Sequence, residues 1–166
     1  RARRVADPDN EHQIVCLEAP EKTAFIDEIR ALGASVLVAP APAELAAAVS
    51  DADLVQLEFW NHPATLRALC ETDWPAMRLL VWCHVSGLHF PRISPALVAQ
   101  SDRCMLTSAC SWQAPELAGL PDGLRDRVAV VSSAAGLETL PPRRSNAANP
   151  SSAESSCRFG YLGSLN

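Results

Sequence analysis

The stretch Leu79-Leu80-Val81-Trp82-Cys83-His84-Val85-Ser86-Gly87 sets five apolar residues in a row and closes on an imidazole, a hydroxyl and a glycine. So short an unbroken apolar run, stopped by a turn-forming glycine, reads as a strand buried on both faces, the habit of parallel sheets. Working outward, residues 14–17, 35–39, 54–59, 104–108 and 128–132 share its length and its Val, Leu and Ile content. All six runs read as buried strands.

The intervals between them carry helical spacing. Residues 21–32 place Phe25, Ile26, Ile29 and Leu32 three and four apart, with Gly33 just beyond as a C-cap. Residues 43–49 follow Pro42, residues 63–70 follow Asn61 and His62, residues 95–100 follow Ser94 as an N-cap, and residues 115–120 open on Pro115. Five crossovers therefore join six strands. That alternation predicts an α/β protein with a Rossmann-like, doubly wound parallel sheet, whose ligands bind beyond the carboxyl ends of the strands.

The chain has 166 residues with 48% apolar and 20% charged content, and its mean hydropathy is +0.03. This composition belongs to a globular protein rather than a disordered one. Fourteen basic against nineteen acidic side chains give a net charge of -5, which provides no broad electrostatic footprint for nucleic acid. No apolar stretch approaches the length of a membrane span, and no secretory segment follows the Arg-rich start. The expectation is a cytoplasmic protein without a membrane span, with peripheral membrane contact left open. Six scattered cysteines without a CxxC pair read as reduced, buried residues. A zinc site from Cys83, His84 and His89 lacks close ligand pairs, so no metal and no cofactor is expected.

His84 stands where a central strand would end, able to donate to an oxygen-rich ligand, with Ser86 beside it and Gly87 allowing close backbone approach. The alternative is a buried histidine satisfied by backbone. Cys83 and His84 do not form a nucleophile and base, because neighbours on a strand point to opposite faces. Gln56 and Glu58 share one face near the end of the 54–59 run. Glu58 has either a ligand hydroxyl or an arginine of the same domain as partner. Trp60, followed by Asn61, is either a sugar-stacking platform or a helix-packing residue. Asp51 and Asp53 read as a solvated turn. Nucleophile elbows, phosphate loops and dinucleotide-binding glycine turns are absent from the sequence.

Residues 141–157, rich in Pro, Ser, Asn and Ala, read as an exposed linker, and residues 158–166 as a first strand that stops short. The expected organisation is a domain over 1–140, this linker, and the start of a second, truncated domain. An opening strand with no predecessor leaves an exposed sheet edge or an unfilled slot, from which dimerisation or partial disorder over residues 1–10 would follow.

Three stretches together are similar to the amino-terminal half of GT-B-fold retaining glycosyltransferases of the family-four type. Asp53-Leu54-Val55-Gln56-Leu57-Glu58-Phe59-Trp60 resembles a family strand that carries two histidines, neither present here. Leu80-Val81-Trp82-Cys83-His84-Val85-Ser86-Gly87 resembles the strand that ends in the family's histidine. Residues 128–140, followed by Phe159-Gly160-Tyr161-Leu162-Gly163, resemble the last strand of the amino domain and the first of the carboxyl domain. The resemblance implies that His84 contacts the donor sugar near its anomeric centre; Glu58, Trp60, Asn61, Ser86 and Gly87, at the same strand ends, are the candidate substrate-binding residues. It further implies that Gly163 approaches the donor diphosphate, although Ser164 stands where an arginine commonly follows. The implied partners are a nucleotide-sugar donor and an acceptor, and the implied activity belongs to a longer enzyme. The competing expectation is a Rossmann-like interaction or regulatory module without chemistry of its own.

Overall fold

Short β-rich runs alternate with helices opened by proline, and each run becomes a strand at nearly the expected place. A computed structural model describes residues 10–132. In chain order the elements are β1 (Gln13–Cys16), α1 (Ala24–Ala31), β2 (Ser35–Val38), α2 (Pro42–Ser50), β3 (Val55–Phe59), α3 (Pro63–Glu71) and β4 (Leu79–Cys83). There follow α4 (Pro95–Gln100), β5 (Arg103–Leu106), a 3-10 helix (Ala109–Gln113), α5 (Pro115–Ala118), α6 (Asp122–Arg125) and β6 (Val128–Val130). The linker 141–157, the segment 158–166 and Gly163 lie outside the described residues.

Local chemistry fixes the helix boundaries. Proline occupies the first turn of α2, α3, α4 and α5, where its missing N–H costs nothing. The backbone N–H of Ala64 donates to His62 Nδ1 and that of Ala96 to Ser94 Oγ, so α3 and α4 begin under side-chain caps. Gly33 ends α1 at a φ of 82°, the left-handed geometry that glycine adopts without strain.

Every strand pairing is parallel. The six strands do not form one sheet, however. β3, β4, β5 and β6 make a four-stranded sheet in that order, while β1 and β2 pair separately. The single six-stranded sheet expected from the alternation is thereby corrected: an open cavity lies between β1 and β3, which therefore share no ladder. Outer strands are also wetter than expected. Val38 on β2 and Val130 on β6 are 37% and 40% exposed, and among the described residues each of these strands has a neighbour on one side only.

One face of the four-stranded sheet forms the core. Phe59, Val81, Cys83, Cys104 and Leu106 pack there against Ile93, Val98 and Leu117 from the connecting segments. Each such aliphatic side chain contributes roughly 1.5–3 kcal/mol through burial. The register pairs Leu57 with Val81 and Phe59 with Cys83. Strand alternation then puts Gln56, Glu58, Trp82 and His84 on the opposite face. No described helix is long and apolar enough to cross a membrane.

Candidate functional site

The carboxyl ends of β3 and β4 build one polar and aromatic cluster. The N–H of His84 donates to the carbonyl of Phe59 at 3.0 Å, extending the β3–β4 ladder one residue past the end of β4. That bond holds the His84 imidazole on the sheet face that carries Glu58, whose register partner is Trp82. His84 Nε2 lies 2.6 Å from Glu58 Oε2. The amide nitrogen of Gln56 donates to the other carboxylate oxygen, Oε1. Both oxygens of Glu58 are thus engaged, and the carboxylate is set in one orientation.

Trp60 lies flat on the imidazole of His84, with ring centroids 4.2 Å apart and planes within 4°. Trp82, two residues before His84 on the same strand face, stacks on it at 5.6 Å. The His84 side chain is 17% exposed and that of Glu58 45%, whereas Trp60 is 61% exposed. His84 is therefore not a core histidine satisfied by backbone: a carboxylate and two indoles hold it at a partly open surface. Its Nε2 faces Glu58, which favours a proton on that nitrogen.

The remaining expected site residues take supporting positions. Asn61 adopts a left-handed φ of 59°, a conformation asparagine tolerates, and so turns the chain from Trp60 into the His62 cap of α3. Ser86 Oγ accepts from the N–H of Leu88 at 3.3 Å, bracing the loop after β4. Gly87 has a φ of 73°, and a Cβ there would stand 3.2 Å from Ile93 Cγ1. The close approach at Gly87 is thus to Ile93. Arg92 adds a bond from its Nη1 to the Gly87 carbonyl at 3.2 Å.

Glu58 meets His84, a partner not weighed from the sequence. Sequence reasoning missed Trp82 as a stacking partner, although its spacing of two from His84 places both on one face. It also missed His62, whose Nε2 approaches Glu18 Oε2 at 3.8 Å between the segments that follow β1 and β3. Nothing in the local pattern joins positions so distant in the chain.

Cys83 faces away from the cluster. Its sulfur lies 3.8 Å from that of Cys104 inside the core, and the hydrogen bond to Cys104 together with burial pushes its thiol far above the ordinary range. Cys83 therefore supplies no thiolate for His84 to activate. Among the described residues no group of three His, Cys, Asp or Glu side chains is placed to hold a metal ion. Comparison with protein-family models, with curated proteins and with solved structures finds no match for this chain.

Proposed function

We propose that the cluster at the ends of β3 and β4 is a carbohydrate site, and that the chain is the acceptor-side part of a retaining glycosyltransferase that uses a nucleotide-sugar donor. The observation that carries this reading is the stack of the exposed Trp60 on a His84 imidazole already tied to Glu58. An exposed indole offers an apolar platform to the C–H face of a pyranose ring, and neighbouring polar atoms meet its hydroxyls.

Mechanistically, cleavage of a sugar–phosphate bond builds positive charge on the anomeric carbon and negative charge on the departing diphosphate. Glu58 makes the imidazole electron-rich, so His84 Nδ1 accepts a hydrogen bond from a sugar hydroxyl and orients the ring. The loop through Ser86 and Gly87, braced against Ile93, walls the same edge.

The test is an NMR titration of the chain with uridine diphosphate glucose, guanosine diphosphate mannose and free oligosaccharides. Resonance shifts at the His84 ring and the Trp60 indole N–H, absent in Trp60→Ala, are the expected result. No perturbation of either ring by any of these compounds overturns the proposal.

A further inference from the structure

The gap that divides the sheet is a cavity of about 1060 Å³. It is a cleft open to solvent rather than an enclosed void. Residues of two strands line it. Gln13, Ile14 and Val15 of β1 line it consecutively, as do Val55, Gln56 and Leu57 of β3. Side chains alternate between faces along a strand, so consecutive lining residues mean that the strand's edge, with its backbone N–H and C=O groups, faces the cavity.

The hydrogen bonds agree with this. In a parallel ladder alternate residues bond to alternate sides. The carbonyls of His12 and Cys16 accept from β2, which directs Gln13 and Val15 away from β2. Likewise Val55 donates to the Arg78 carbonyl before β4 and Phe59 accepts from His84, which directs Gln56 away from β4. Among the described residues no strand pairs with either of these edges. The contact between Glu18 and His62 joins the segments just past β1 and β3, so the two strands run toward one mouth.

We infer that this slot is a binding site for one extended apolar peptide strand of about five residues, supplied by a separate molecule and running parallel to β1 and β3. Such a strand alternates its own N–H and C=O groups between the two edges and so satisfies both, the chemistry of strand addition. Its side chains would meet Leu45, Val49, Ala64 and Leu79, all buried and all at the cavity wall, which favours apolar residues, while Gln13, Glu18, Gln56 and His62 line the same cavity. A second folded copy of the chain does not fit. Each described strand already has a partner on at least one edge, whereas the occupant needs both edges free.

The experiment adds the capped peptide Lys-Lys-Val-Ile-Val-Ile-Val-Lys-Lys to the 166-residue chain and follows backbone hydrogen exchange by NMR. Binding with exchange slowed about tenfold or more at Gln13, Val15 and Gln56 is expected. The same peptide N-methylated at alternate residues should not protect them. Val15→Pro should weaken binding about tenfold, since it deletes an N–H on the open edge only and leaves the β2 ladder intact. Absence of binding, binding that leaves these three amides fast, or slow exchange at all three in the chain alone would overturn the inference. So would a small apolar dye that excludes the peptide while those amides stay fast, because the cavity would then be a ligand pocket.

Discussion

Glu58 and His84 are 26 residues apart in the chain, and their side chains meet at 2.6 Å on the same sheet face. The meeting is diagonal: Glu58 is in register with Trp82, and His84 lies one ladder step past the last β3–β4 pair. Two parallel strands that end together can bring a carboxylate and an imidazole into contact without any sequence-local signal.

Removing the carboxylate should free the imidazole. In Glu58→Ala the His84 ring loses the acceptor that fixes its tautomer, and nitrogen NMR of the ring should change from a protonated Nε2 form to a mixture of tautomers. Because the Glu58 side chain is 45% exposed, the stability cost should stay at or below about 1 kcal/mol. An unchanged tautomer would show that other contacts orient the ring.

Trp60→Ala should separate function from folding. The residue is 61% exposed, so its removal should shift the urea midpoint little, by roughly 0.5 kcal/mol. Saccharide-dependent shifts at His84 should be lost in the same variant. A large fall in stability with ligand response retained would assign Trp60 to packing instead.

Gly87→Ala should destabilise the chain by about 1–3 kcal/mol. The φ of 73° penalises any side chain, and the added Cβ would press on Ile93 at 3.2 Å. Chemical denaturation with an unchanged m value is the appropriate measurement.

The amino ends of β4 and β5 are clamped reciprocally. Leu79 N–H donates to Asp102 Oδ2 at 2.7 Å, and Asp102 N–H donates to the Leu79 carbonyl at 2.8 Å. Asp102→Ala should cost about 1–3 kcal/mol, the range for leaving a half-buried donor without its acceptor. A change below roughly 0.5 kcal/mol would show that solvent replaces the carboxylate.

Cys83 predicts an alkaline limb in stability. Its hydrogen bond to Cys104 and its burial raise the folded thiol above the ordinary value of 9.0, so the folded state retains a proton that the unfolded chain releases. The same hydrogen bond lowers Cys104, so the pair gives up its first proton at Cys104, and the contribution of Cys83 is complete below pH 9 and is lost as pH rises further. The slope should diminish in Cys83→Ala. Alkylation of the native protein at neutral pH should modify the exposed Cys70 and spare Cys83 and Cys104.

The sequence by itself determined the strands and most helix boundaries, because apolar runs and proline-opened turns are local signals. The β4 run Leu79–Cys83 and helix Pro95–Gln100 stand where they were expected. It also set Glu58 and His84 near the carboxyl ends of their strands, since strand period and turn position depend on nearby residues only. Only the tertiary structure decided that Glu58 turns to His84, that Trp60 lies over the same ring, and that the sheet divides between β1 and β3. Those outcomes depend on which edges come within hydrogen-bonding distance. That distance is set by the packing of the whole core around Val81 and Leu106, which no short stretch of the chain encodes.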